Sequence, residues 1–172
     1  MKERAIDLLD RIFAVIGAFL FAQIPQFYQQ YTTLLSGHLA ELAFQIAQME
    51  ASAKSTDKTL NQLIQKFLAS KDTDFYNQGV FMKTIVDRWT NFMDAMLALN
   101  EASFLGRPFT FIKYFDWQVS KETFHQFTFG FSFTIESLLY AIVGIFIGYL
   151  IFQLFFKGFS QLKKIGSLNS KE

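Results

Sequence analysis

Ser137 to Phe156, SLLYAIVGIFIGYLIFQLFF, runs for twenty residues without a charge. A helix of that length rises about 30 Å, the thickness of a hydrocarbon core, so the stretch reads as a transmembrane helix. Once this segment crosses a bilayer, every other apolar stretch has to be judged by where it stands relative to that crossing. A second run, Ile12 to Ala22, has eleven apolar residues and by itself covers only about half of such a core. Of the 172 residues, 51% are hydrophobic and 18% charged, so the chain is greasier than an ordinary soluble domain.

The first run has two readings. A charged start, a short apolar core and Leu20-Phe21-Ala22 before Gln23 fit a cleavable signal peptide. Against this, the leader MKERAIDLLDR contains Glu3, Asp7 and Asp10 and reads as helical turns rather than a short basic start, so a retained span is expected. At about 100° per residue, Gln23, Gln26 and Gln30 fall along one face with Phe19, and Ala14, Ala18 and Ala22 form a small-residue ridge on another. Amides facing lipid are costly, so the glutamines should meet headgroups, another helix or a water-filled interior. Pro25 removes a backbone donor and is expected to kink the helix. Ile12 to Tyr31 then forms one span of twenty residues, ending in the interfacial aromatics Tyr28 and Tyr31.

Basic residues flank both spans outwardly: Lys2, Arg4 and Arg11 before the first, and Lys157, Lys163, Lys164 and Lys171 after the second. Both tails therefore read as cytoplasmic, with the central region outside, which is the periplasm in a Gram-negative cell. The expected partition is 1–11 cytoplasmic tail, 12–31 first span, 32–104 helical periplasmic domain, 105–133 aromatic-rich membrane-proximal segment, 134–156 second span and 157–172 cytoplasmic tail. The formal net charge of +1 gives no footprint for nucleic acid, and the absence of cysteine excludes disulfides and thiolate metal sites.

Between the spans the pattern is helical. Tyr28, Thr32, Leu35, Leu39, Leu42, Ile46 and Met49 alternate spacings of four and three, continuing the first span as a long helix broken by nothing stronger than Gly37. Ser55-Thr-Asp-Lys reads as a turn. A short amphipathic helix with Leu60, Leu63, Ile64, Phe67 and Leu68 should follow, then a third helix presenting Phe81, Ile85, Trp89, Phe92, Met96 and Leu99 on one face. Arg107-Pro108 suits a helix start, but the segment through Val119 fits either an amphipathic helix on the membrane or a strand. FTFGFSFTI, Phe127 to Ile135, alternates and reads as extended, with Thr134 as the cap of the second span.

Three constellations are candidates for function. Gly144-Ile-Phe-Ile-Gly148, preceded by Ser137 and Ala141, is a small-residue step that lets helix backbones approach closely. It is expected to pack on the Ala14, Ala18, Ala22 ridge or on a second chain. The glutamine stripe is the second candidate, as headgroup contacts, interhelical glue or a pore lining. His38-Leu-Ala-Glu41 and Glu122-Thr-Phe-His125 have the spacing of helical metal sites, but one copy is reversed and further carboxylates are missing, so solvated or capping roles are the plainer reading. No phosphate loop, nucleophile elbow or Ser, His, Asp spacing marks an enzyme, and no cofactor is expected.

Gln23-Ile-Pro-Gln-Phe-Tyr-Gln-Gln-Tyr31 with Gly37-His-Leu-Ala-Glu41, Lys121-Glu-Thr-Phe124, and Thr134-Ile-Glu-Ser-Leu-Leu-Tyr-Ala141 running into Gly144 and Gly148 give the chain a resemblance. It resembles a family of small proteobacterial membrane proteins known only as a domain of unknown function. The resemblance implies two inner-membrane spans with a helical periplasmic part, and no reaction, cofactor or catalytic residue. The expectation is an all-α membrane protein of non-enzymatic, accessory kind. Its partners are then the lipid bilayer and either further copies of itself or a membrane protein complex. A channel-forming homo-oligomer and a periplasmic sensor or metal-binding module are the alternatives.

Overall fold

A computed structural model describes the backbone of residues 2–130 and 134–168 and the side chains of 9–130 and 134–154. Seven helices account for the regular structure and no strand occurs among the described residues: α1 Lys2–Ala22, α2 Ile24–Lys54, α3 Leu60–Leu68, α4 Thr73–Glu101, α5 Arg107–Lys113, α6 Trp117–Gln126 and α7 Ile135–Leu168. Two helical stretches, Leu9–Lys54 and Ile135–Leu154, are long and apolar enough to cross a membrane. The chain divides into two compact units, Met1–Gln29 with Phe127–Glu172, and Gln30–Gln126.

In the first unit, α1 and α7 pack as an antiparallel pair. Phe13 meets Phe152, with ring centroids 5.7 Å apart, while Gly17 lies against Gly144 and Gly148. The first span is not one uninterrupted helix, because a turn at Gln23 separates α1 from α2. Pro25 has no N–H to bond the carbonyl four residues back and its ring crowds that turn, so the ladder stops. The Gln23 N–H instead reaches back to the Leu20 carbonyl at 3.2 Å, and Phe27 restarts the pattern by donating to the Gln23 carbonyl at 2.9 Å. Pro25 then occupies the first turn of α2, where a missing donor does no harm. The segment read as a strand is non-helical and outside any sheet at Phe127 to Gly130, and residues 131–133 of that prediction lie outside the described residues. Thr134 caps α7 as expected, its hydroxyl accepting from the Ser137 N–H at 3.2 Å. That helix continues beyond Phe156 through the basic tail to Leu168.

The second unit is a small helical bundle. Leu35, Leu39, Leu42 and Ala53 of α2 are buried along the predicted seam. Low numbers on α2 face high numbers on α4, since His38 lies by Phe92 while Ala53 shares a core with Met82. Helix α2 ends where Asp57 takes a left-handed φ of 54°, letting the Lys58 N–H bond the Ala53 carbonyl at 3.1 Å and the Asp57 N–H bond that of Lys54 at 3.0 Å. Two such bonds satisfy carbonyls that a helix end leaves bare, and Asp tolerates the left-handed region better than most residues. Thr59 and Gln62 then form a capping box that starts α3.

Of the predicted face of α4, Ile85, Phe92 and Leu99 are buried and Trp89 and Met96 half-buried, whereas Phe81 is 57% exposed; Gly79, Met82 and Ala95 are inside as well. Gly79 is the point of closest approach. A Cβ there would sit 2.8 Å from the Leu68 nitrogen, so α3 crosses α4 at the one position without a side chain. Gly37, by contrast, has nothing within 4 Å of a Cβ built on it. Gly37→Ala should therefore stabilise the chain by about 0.5–1 kcal/mol through lower unfolded-state entropy, read as a higher thermal midpoint in detergent.

Candidate functional site

The contact between α1 and α7 is built from small residues. Along α7, Ser137, Gly144 and Phe152 are buried with Gly148, and Ala141 is half-buried, giving the three-and-four spacing of a helix–helix seam. A Cβ on Gly144 would fall on the Gly17 carbonyl oxygen, and one on Gly148 would fall on that of Phe13. On α1 the atoms that meet these glycines belong to Phe13, Ala14, Gly17 and Phe21, so Ala14 of the predicted ridge is in the contact, and Ala18 and Ala22 are half-buried like it. Gly17 was open to discovery in the sequence, as a glycine in the middle of an apolar run at three residues from Ala14.

Outside that seam the pair leaves its apolar side chains uncovered. Val15, Ile16, Leu20, Leu138, Phe146 and Leu154 are all exposed, the inverse of a soluble two-helix unit, which buries its large residues first.

The glutamine stripe divides. Gln23 is 6% exposed, and its side-chain oxygen accepts from the Gly130 N–H at 3.4 Å. Its Nε2 is buried without a partner among the described residues. Gln26 packs on Gly130 as well, where a Cβ would lie 3.2 Å from its amide nitrogen. Gln30 falls in the second unit and is half-buried. At 3.4 Å the Gln23 bond is long and weak. Gln23→Leu removes an unpartnered donor together with one poor acceptor, and should change stability by less than about 1 kcal/mol in either direction. Thermal unfolding in detergent measures this, and a loss of several degrees would mean that the amide carries a stronger contact.

Tyr31 does not serve as an interfacial aromatic. It is fully buried in the second unit, its ring edge-on to Phe111 with centroids 4.9 Å apart. The hydroxyl accepts from the Asp116 N–H at 3.2 Å and donates to the Tyr114 carbonyl at 3.5 Å. Asp116 in turn caps α6, its carboxylate accepting from the Val119 N–H at 2.9 Å. One side chain from α2 thus fixes the turn between α5 and α6.

Of the four residues with metal spacing, two come together. His38 Nε2 and Glu122 Oε2 are 2.9 Å apart. Glu41 instead accepts from the Gln45 side chain at 2.9 Å, and His125 lies in the last turn of α6. No group of three or more His, Asp or Glu side chains able to hold a metal ion occurs among the described residues. The pair belongs to a polar chain that the sequence did not suggest: Arg88 donates to Gln118 at 3.2 Å, and Gln118 donates to Glu122 at 3.2 Å. The hydrogen bond from Gln118, then that from His38, holds the Glu122 carboxyl below its usual range. Arg88 also lies 5.0 Å over the Phe92 ring, beside a shallow groove of about 360 Å³ lined in part by Asp87, Asn91 and Asp116.

A family model described as "Protein of unknown function (DUF2937)" matches residues 6–164. No curated protein and no solved structure matches the chain.

Proposed function

Since the chain belongs to this family of unknown function, we propose from its own geometry that it is a non-enzymatic inner-membrane protein whose extramembrane helices mediate assembly, with further copies or with a membrane complex. In this reading the spans are 12–31 and 134–156, both termini are cytoplasmic, and 32–133 lies in the periplasm. The observation that carries it is apolar surface the chain does not cover itself. The α1–α7 pair buries a seam of small residues and turns its large ones outward, as lipid requires. On the second unit Phe44, Phe81 and Leu97 are each more than half exposed, apolar side chains that a partner helix could cover. The Gln23 amide is turned onto Gly130, which favours assembly over a channel lined by the glutamine stripe.

The test is the mass of the detergent-solubilised protein, by light scattering and native mass spectrometry, together with whatever co-purifies from its own host. A stable oligomer or a stoichiometric membrane partner is expected. A monomer with nothing bound across several mild detergents overturns the assembly role.

A further inference from the structure

The segment from Leu105 to Phe124, which holds α5 and most of α6, carries the most exposed large apolar side chains of the second unit. Leu105, Phe109, Ile112, Trp117 and Phe124 are each 72–79% exposed, whereas Phe44, at 60%, is the next in that unit. Between the two helices, the Phe115 ring lies 5.7 Å from that of Phe111 on α5 and 6.2 Å from that of Trp117 on α6, giving a run of rings across the turn. We infer that this surface lies in the phospholipid headgroup zone, so that α5 and α6 rest on the bilayer as an interfacial collar. The inference rests on the proposed spans.

Three observations select lipid as the occupant. First, the turn between α5 and α6 is hydrogen-bonded to Tyr31, the residue at which the first span ends, and Gln126 at the end of α6 is followed within nine residues by Ile135 at the start of α7. Along the chain, the middle of the segment is therefore bonded to the residue that ends the first proposed span, and its C-terminal end is joined to the second by a link of roughly 30 Å at most. Second, the charges are sorted. The acidic groups are used internally, Asp116 as the cap of α6 and Glu122 with His38 and Gln118. Lys113 and Lys121 are exposed and can reach lipid phosphates while their stems cover apolar surface. Third, a tryptophan and phenylalanines beside lysines compose the belt that membrane proteins place at this depth, about 5–10 Å into the boundary.

The full chain has two tryptophans, Trp89 and Trp117, which makes the test direct. The protein is placed in nanodiscs of partly anionic phospholipid, with and without acyl chains brominated near the headgroup end. Trp89→Phe leaves Trp117 as the reporter, and Trp117→Phe leaves Trp89. Trp117 emission should be quenched several-fold more strongly than that of Trp89. Replacing both tryptophans and adding Phe146→Trp, measured with bromines near the acyl-chain terminus, reports on the middle of the second span itself. If the reporter at position 146 is quenched and Trp117 is not, the interfacial collar is wrong although the span stands. If neither is quenched, the span reading fails and the collar with it. Should Trp89→Phe not fold, Trp89→Tyr serves for the same measurement. Lys113→Glu with Lys121→Glu should reduce Trp117 quenching in anionic nanodiscs without altering the reporter at position 146, and unchanged quenching of Trp117 removes the role assigned to the lysines.

Discussion

Gly144→Leu should leave the chain in the membrane fraction and yet separate α1 from α7. The reason is that the contact is backbone on backbone. A Cβ at residue 144 falls on the Gly17 carbonyl oxygen and comes within 2.8 Å of the Phe21 Cβ, so no flexible side chain can swing aside to admit it. The helices must move apart, and in lipid close packing supplies much of the association energy, because hydrocarbon gives no drive to hide one apolar face from another. Overpacking of this kind costs about 1–3 kcal/mol in soluble cores, and a rigid seam belongs at the upper end. The chain has no cysteine, so Phe13→Cys with Phe152→Cys offers a clean reporter across the seam. Oxidative cross-linking should be efficient in the parent and fall sharply with Gly144→Leu. Ile145→Leu, exposed and nearly equal in volume, should leave it unchanged. Equal yields in all three backgrounds would count against a close crossing at Gly144.

Tyr31→Ala should be the most damaging single truncation in the second unit. The ring is completely buried against Phe111, and its loss opens a cavity at a cost of about 3–5 kcal/mol. The hydroxyl also satisfies the Asp116 N–H at the start of α6, so Tyr31→Phe should cost about 1–3 kcal/mol by leaving that donor bare. Hydrogen exchange separates the two effects by location. Tyr31→Phe should lower protection chiefly around the turn between α5 and α6, and Tyr31→Ala across both helices and the neighbouring turns of α2. Protection that falls evenly over the whole bundle in both variants would mean that the residue supports general packing and does not hold the turn.

The contacts at Gly144 and Tyr31 illustrate why parts of this molecule are readable in sequence and others are not. Periodicity reports burial averaged along a helix, and it located α2, α3, the α7 seam and the Thr134 cap, where one face meets one kind of environment. It failed where a single contact sets the geometry. Gly17 has no side chain to register in a hydrophobic pattern, yet it decides which face of α1 meets α7. Gly79 in the same way adds nothing to a hydrophobic pattern, yet α3 crosses α4 at that position. Tyr31 looks like an interfacial aromatic because its ring suits that depth, and only the distant Tyr114 and Asp116 reveal its hydroxyl as a structural bond. His38 and Glu122 belonged to the one candidate metal constellation and do meet, but their link through Gln118 to Arg88 joins residues too far apart in sequence for a local spacing rule. The segment carrying α5 and α6 was open in sequence because helical and alternating periods both fit parts of it.

Side-specific labelling tests the two-span arrangement most directly. A thiol introduced by Thr56→Cys stands on an exposed turn of the cysteine-free chain, and Ser167→Cys places one after the second span. In intact cells with a permeabilised outer membrane, a membrane-impermeant maleimide should label the thiol at position 56 fully and leave the one at position 167 untouched until the inner membrane is opened. Labelling of the two positions to the same extent, or protection of position 56 until the inner membrane is opened, contradicts a chain that crosses twice with its central helices outside.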